Sequence, residues 1–290
     1  MPLCINCKKK IYIYKIINNV RIFFCPSCGL GVTQDKLNIH KVDTTTSLYD
    51  FNTYSVNEEK YRLRFNKLID LISKYKRKGI ILEIGGGFGL FSSLLTNSKQ
   101  YQIEVIEPYL KPIYLIGKKN VYIYKCTFED FIKKDINKQF DVVILLDVLE
   151  HFKNPSYVIN KIQNILKENG IIVIQVPNYN SLMANLCRNW SWWMTEEHKY
   201  HFSLKALTFL LKTNDFDIKK CITYEDFSDF KKNLDGNFIY IRNSIIRKSA
   251  KLIFYSLFFP FYLIFKRVVW HLGYGGLLFV IAKKSNSEYI

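Results

Sequence analysis

The chain has 290 residues, 49% hydrophobic and 23% charged, which excludes a disordered chain and allows a substantial core in one large domain or in one domain plus a small appendage. The 42 Lys and Arg against 25 Asp and Glu leave a formal +17, which points either to an anionic partner or to lysine-rich compositional drift. No run of about 18 uncharged apolar residues occurs, which argues against a conventional spanning helix.

Met1-Pro2-Leu3-Cys4 lacks the basic-then-apolar layout of a signal peptide, so a cytoplasmic protein is expected. Seven cysteines, an odd number, speak against a disulfide framework. Four of them form two C-x2-C knuckles, Cys4 with Cys7 and Cys25 with Cys28. Two such knuckles supply the four thiolates of a tetrahedral zinc site, with no coordination position left for catalysis. A redox pair or unliganded thiols is the competing reading. The apolar runs 11–14 and 21–24 flank Asn18-Asn19, so residues 1–35 read as a zinc ribbon built on a hairpin, with Gly29 and Gly31 in the turn after the second knuckle. Residues 36–78 read as a connector and a helix. The stretch 32–58 is polar, with Thr44-Thr45-Thr46-Ser47 at its centre, and Tyr61, Phe65, Leu68, Ile69 and Ile72 give residues 59–76 a helical stripe.

From residue 79 to 290 the pattern is that of an α/β domain. Strands are predicted at 80–84, 103–107, 121–124, 141–147 and 171–176, with helices between them. Asn154-Pro155 is an N-cap followed by proline at the first helical position, and Gly170 marks the end of that helix. Strands alternating with helices imply a parallel sheet, whose ligands bind beyond the carboxyl ends of the strands. There the first strand runs into Gly85-Gly86-Gly87-Phe88-Gly89, which admits a ligand close to the backbone. The spacing is neither G-x-G-x-x-G, since position 90 is Leu, nor a P-loop. Glu107 ends the second strand, where a carboxylate accepts from both hydroxyls of a ribose; a plain surface acid is the alternative.

These residues resemble a known family. Residues 82–89, Glu107-Pro108 and the segment from Phe140 to His151 are similar to class I S-adenosylmethionine-dependent methyltransferases. The wider layout resembles a bacterial subgroup with an N-terminal C-x2-C…C-x2-C segment and downstream Val176-Pro177-Asn178 and Glu197-His198-Lys199-Tyr200-His201-Phe202-Ser203. The resemblance covers roughly residues 4–224 and, more loosely, a last strand at 277–283. It implies a Rossmann-like methyltransferase fold: a mostly parallel seven-stranded sheet with helices on both faces. It implies S-adenosylmethionine as cofactor, with Gly85, Gly86, Gly87 and Gly89 lining its methionine and ribose portions. Glu83 would support that turn or bond the methionine amine, Glu107 would hold the ribose diol, Thr127 and Phe128 would flank the adenine, and Asp147 would sit beside the methionyl amine.

Methyl transfer from a sulfonium is an in-line displacement, so alignment supplies much of the acceleration and a general base removes an acceptor proton where needed. His151, four residues past the fourth strand, is one candidate base; His198 and His201, ahead of the N-cap Ser203, are the others. Each has a purely structural alternative. Trp190, Trp192 and Trp193 fall where the family places its acceptor lid. A helical insertion at 243–271 carries 14 uncharged residues, Leu252 to Phe265, split by Pro260 and flanked by Arg247, Lys248, Lys251, Lys266 and Arg267. It fits a segment lying on the inner face of a membrane, or an insertion packed on the domain or a partner. Strand 277–282 is predicted as a final edge. The acceptor expected is a sugar, a lipid-linked glycan precursor or a related small metabolite, methylated on oxygen or carbon. An RNA acceptor is a lesser alternative, because no Asn/Asp-Pro-Pro-aromatic element follows the fourth strand. A non-catalytic scaffold is another.

Overall fold

The structure is a computed structural model that describes residues 2–34, 50–98, 100–134, 138–187, 190–238 and 241–285. The connector's Thr44-Thr45-Thr46-Ser47 lies outside the described residues. Strands β1 (Tyr12–Ile17) and β2 (Val20–Phe24) pair antiparallel around Asn18 and Asn19, whose φ values are 48° and 63°. Asn tolerates left-handed backbone, and a two-residue turn of this hand matches the twist of the strands it joins. Strand β3 (Gly31–Thr33) adds antiparallel to β2.

Helix α1 (Phe51–Val56) occupies part of what reads as polar connector. Asp50 caps it, its carboxylate accepting the Thr53 amide at 2.9 Å, and Phe51 and Tyr54 pack against Phe88. Helix α2 (Glu58–Ser73) buries Phe65, Leu68 and Ile72 of the predicted stripe, while Tyr61 and Ile69 are half-buried.

The alternating region follows as β4 (Gly79–Ile84), α3 (Leu90–Leu95), β5 (Tyr101–Ile106), β6 (Val121–Tyr124), α4 (Phe128–Lys133), β7 (Phe140–Leu146), α5 (Pro155–Ile165) and β8 (Leu166–Pro177). Strand β4 pairs parallel with β5 and β7, and β5 with β6. Asn154 caps α5 through the Tyr157 amide at 3.1 Å, with Pro155 at the first helical position. Gly170 does not end α5, which stops at Ile165; the chain is extended from Leu166 onward. Gly170 instead lies where a Cβ would meet Leu166 Cδ2 and the Lys167 carbonyl at 2.9 Å.

The remaining elements are α6 (Leu182–Leu186), β9 (Tyr200–His201), α7 (Leu204–Lys212), β10 (Phe216–Tyr224), α8 (Phe227–Asn237), α9 (Ser244–His271) and β11 (Leu277–Lys284). Seven strands form one sheet in the order β10-β11-β8-β7-β4-β5-β6, and β1-β2-β3-β9 form another. The predicted edge strand β11 is therefore internal, and six successive buried residues, Leu277 to Ala282, suit that place. The edge is β10, whose Asp217, Lys219 and Lys220 interrupt the apolar pattern. Pro260 does not split the C-terminal insertion, because α9 runs through it. Proline removes the hydrogen bond to the carbonyl four residues back, and Ser256 there is exposed, where water can take its place.

Residues group into two compact units: Met1–Leu37, Gln175–Leu210 and Lys220–Val280 in the first, Asn38–Ile174, Leu211–Lys219 and Ile281–Ile290 in the second.

Candidate functional site

In the second unit, four parallel strands end together, and named contacts join the segments that follow them. The turn after β4 carries Gly85, Gly87 and Gly89 with φ of 76°, 55° and 86°. A Cβ on Gly85 would meet Val148, after β7, at 2.5 Å; one on Gly86 would collide with Val105; one on Gly89 would meet Leu115 at 2.6 Å. Gly87 differs, because a Cβ there would meet nothing within 4 Å. Three glycines are thus required by packing, and the fourth faces open space.

Glu107, buried just after β5, ties this turn down. Its Oε2 accepts the Gly87 amide at 2.7 Å, and its Oε1 accepts the amides of Tyr109 and Leu110 at 2.9 and 3.0 Å. Glu83 is buried beneath the turn and accepts a hydrogen bond from the Ser92 hydroxyl. Burial pushes its carboxyl up to about 8, with the Ser92 bond opposing and the Glu107 charge adding.

Thr127 caps α4, accepting the Asp130 amide at 3.1 Å, and buried Phe128 opens that helix. The Phe128 ring meets Phe152, beyond β7, edge-on at 6.2 Å. Asp147 follows β7 with a φ of 57°, a left-handed backbone that non-glycine residues adopt rarely and that clusters at functional sites. His151 closes a 3₁₀ turn, Leu149–His151, and is half-buried. Every cofactor residue predicted from the sequence therefore lies on these four strand ends.

Two features escaped sequence reading. Glu150 is buried, and burial followed by the Asp147 charge raises its carboxyl well above the usual range. Its signal was only its place in the segment from Asp147 to His151. Around Phe88, Phe51 and Tyr54 bring an aromatic cluster that includes Tyr61 and Tyr114, Tyr54 stacking on Tyr61 at 4.7 Å. Tyr114 donates to Glu58 at 2.6 Å, and burial together with that acid pushes its hydroxyl up to about 12.

Residues 58–220 match the family of methyltransferase domains. The chain belongs to that family. Its fold is the Rossmann-like fold of class I S-adenosylmethionine-dependent methyltransferases. A SAM-dependent methyltransferase from Archaeoglobus fulgidus superposes with a TM-score of 0.51 at 20% identity, over 81% of this chain and 100% of that one. Another from Thermotoga maritima gives 0.51 at 14% identity, over 81% and 95%. The ubiquinone biosynthesis O-methyltransferase of Rickettsia typhi is 30% identical over 126 residues, 41% of this chain and 46% of that protein. The protein of the same name from Glaesserella parasuis is 36% identical over 62 residues, 20% of this chain and 26% of that one. The chain thus spans less than half the length of these curated relatives.

The first unit of this methyltransferase-family chain holds the cysteine knuckles. The four Sγ atoms of Cys4, Cys7, Cys25 and Cys28 lie within 4.8 Å of one another, with Cys4 and Cys28 3.5 Å apart and Cys7 and Cys25 3.3 Å apart. A zinc tetrahedron has sulfur–sulfur edges of about 3.8 Å, so the donor set fits. The hydrogen bond that Cys4 and Cys28 share pushes the Cys4 thiol down and the Cys28 thiol up. Gly29 has a φ of 80°, and its carbonyl accepts from Tyr179 at 2.7 Å and Ser203 at 3.0 Å.

His201 and His198 belong to this unit. Strand β9 pairs with β3, setting His201 opposite Gly31. The His201 Nε2 is 2.8 Å from Thr33 Oγ1, the ring meets Trp193 edge-on at 5.0 Å, and burial lowers its pKa to about 3. His198 is buried with Nδ1 3.0 Å from the Trp192 carbonyl. Trp190 and Trp193 are not an open lid: they sit in the apolar core with Tyr179, Met183 and Phe230, while Trp192 is half-buried beside it. Asn178, in the Val-Pro-Asn element, donates to the carbonyls of Gly273 and Gly275 at 2.9 Å each and so pins the turn before β11.

Proposed function

We propose that this protein transfers the methyl group of S-adenosylmethionine to a hydroxyl of a small acceptor: a sugar, a lipid-linked glycan precursor or a related metabolite. The observation that carries the reading is the bond from the Gly87 amide to Glu107 in the turn, at a glycine with empty space where a side chain would stand. The ubiquinone O-methyltransferase relatives support transfer to oxygen. A carbon acceptor requires the same pocket.

The residues fit the cofactor. A buried carboxylate matches a ribose diol, and an open, side-chain-free bend matches the close approach of a sulfonium amino acid. When bound, S-adenosylmethionine supplies an electrophilic methyl carbon on a positively charged sulfur. Glu107 is oriented before any ligand arrives, because three backbone amides already hold its two oxygens. Such preorganisation reduces the ordering cost of binding. Glu83 stiffens the turn through Ser92 on α3. Thr127 and Phe128 take the adenine side, and Asp147 the amine. We assign proton removal to His151, whose unprotonated ring nitrogen accepts the proton of the acceptor hydroxyl as the new carbon–oxygen bond forms. The ribbon would hold one structural zinc on Cys4, Cys7, Cys25 and Cys28, in keeping with the bacterial zinc-ribbon subgroup that the sequence resembles.

The test is to incubate the purified protein with a cell extract and radiolabelled S-adenosylmethionine, then fractionate into lipid, glycan, RNA and protein pools. Label in the glycan or lipid pool is the expected result. Label in RNA alone would favour the second reading, for which the +17 charge speaks. Failure to bind S-adenosylmethionine by calorimetry rejects both.

A further inference from the structure

Helix α9 is inverted relative to an ordinary surface helix. Its inner stripe packs on α8 within the first unit: Phe230 stacks on Tyr262 at 3.8 Å, Phe227 meets Phe259 at 4.8 Å, and Lys251 pairs with Asp235 at 2.9 Å. The outer side carries Ile253, Leu257, Phe261, Ile264 and Val268, all exposed, with Leu257 and Ile264 each at 67%. Of its most apolar 18 residues only 6% are buried. By length and composition the helix could cross a membrane.

Charge decides what covers this face. The 28 residues of α9 contain no acid. Arg247, Lys248 and Lys251 precede the uncharged run, and Lys266 and Arg267 follow it. A second copy docked through the same face would set cations against cations in either orientation, an unfavourable arrangement. A bilayer with anionic phospholipid offers the complement, hydrocarbon for the centre and phosphates for both ends. Packing decides the orientation. A spanning α9 would carry α8 into hydrocarbon along with it, and α8 bears Asp229, Lys231, Lys232 and Asp235. Phe261 and Phe265 also border an apolar cavity of about 100 Å³, a recess suited to acyl carbons.

We propose that α9 is an in-plane anchor that seats the first unit on the surface of an anionic phospholipid bilayer. The inference is independent of methyl transfer and concerns a different surface.

The experiment is vesicle flotation of the full-length protein. The protein should rise with vesicles of phosphatidylcholine and phosphatidylglycerol, and roughly tenfold or more weakly with phosphatidylcholine alone. Raised salt should lower binding to the anionic vesicles. Alkaline carbonate should strip the bound protein. The double variant Leu257→Glu/Ile264→Glu places charge on exposed positions and should abolish flotation, while its melting temperature and its affinity for S-adenosylhomocysteine match the parent. The variant Lys266→Gln/Arg267→Gln should lose most of the preference for anionic lipid. Absence of flotation, equal flotation of the Glu variant, or a lipid-free dimer dissociated by the Glu substitutions overturns the proposal. Resistance to carbonate overturns the in-plane orientation.

Discussion

Glu107 accepts the amide of Gly87 across 20 residues of chain, at 2.7 Å, and the two residues lie in the segments that follow adjacent parallel strands. One carboxylate therefore ties the glycine turn to the segment that follows the neighbouring strand. Hydrogen bonds to a charged acceptor are each worth about 1.5–3 kcal/mol. Glu107→Ala should weaken S-adenosylhomocysteine binding by at least about tenfold and also lower the melting temperature, because three amides lose their acceptor. Calorimetry and thermal denaturation measure the two effects.

Gly85 and Gly87 should separate folding from binding. Both have positive φ, so alanine costs about 1–2 kcal/mol of backbone strain at either. At Gly85 the added methyl also strikes Val148. Gly85→Ala should therefore lower the melting temperature markedly. Gly87→Ala should lower it less while reducing cofactor affinity as much or more, since its methyl projects into the open space. Equal effects of the two substitutions on both measurements would contradict the placement of the pocket at Gly87.

The cysteine cluster predicts metal content. Elemental analysis should find one zinc per chain, and Cys4→Ser should lose most of it. Structural zinc carries much of the folding free energy of small ribbons. The substitution should lower the melting temperature by roughly 5–10 °C. Metal-free protein with an unchanged melting temperature in the presence of a chelator would remove the structural role.

Burial of carboxyls sets a pH dependence. Glu83 ionises at about 4.5 in an exposed chain and about 8 in the fold. Between those values the folded chain keeps a proton that the unfolded chain has released. The contribution of Glu83 to stability is then fully present below 4.5 and is lost as pH rises through 8, by up to about 1.4 kcal/mol per pH unit. Glu225, pushed up to about 8 by burial, acts in the same direction, and so does Glu150. Urea denaturation from acid to mildly alkaline pH should show this decline, and Glu83→Gln should make it shallower. An unchanged slope in that variant would mean that Glu83 is already ionised in the fold.

The α/β half of the fold was legible because its signals are local. Alternating apolar runs, a glycine turn after the first strand and an acid after the second survive in sequence as they stand in space. The placement of β11 was not legible: Leu277 to Ala282 reads equally well as a buried edge, and only pairing with β8 and β10 makes it internal. Strand β10 was hidden by Asp217, Lys219 and Lys220, which an edge tolerates. Helix α1 was hidden by the polar residues before it, although Asp50 and the Phe51 and Tyr54 spacing mark it. The Trp cluster looked like a lid because aromatic residues serve binding walls and cores alike, and burial alone distinguishes them.

The same ambiguity applies to the histidines, and it yields a decisive comparison. His201 is buried, hydrogen-bonded to Thr33 and held neutral by desolvation, with a pKa near 3 against an ordinary 6.5. A base that cycles a proton near neutral pH needs a value close to the working pH, which His201 does not have. Its depressed pKa instead contributes stability that is fully present above 6.5 and is lost as pH falls toward 3. His151 stands on the strand end that also bears Asp147. His151→Ala should reduce kcat by about 10²–10⁴-fold with S-adenosylhomocysteine affinity within about twofold of the parent. His201→Gln should lower the melting temperature and weaken the acid-side loss of stability, yet keep kcat within a few-fold at a temperature where it is folded. The reverse outcome, a folded His201→Gln protein without turnover and an active His151→Ala, would move the proton-accepting role to the first unit.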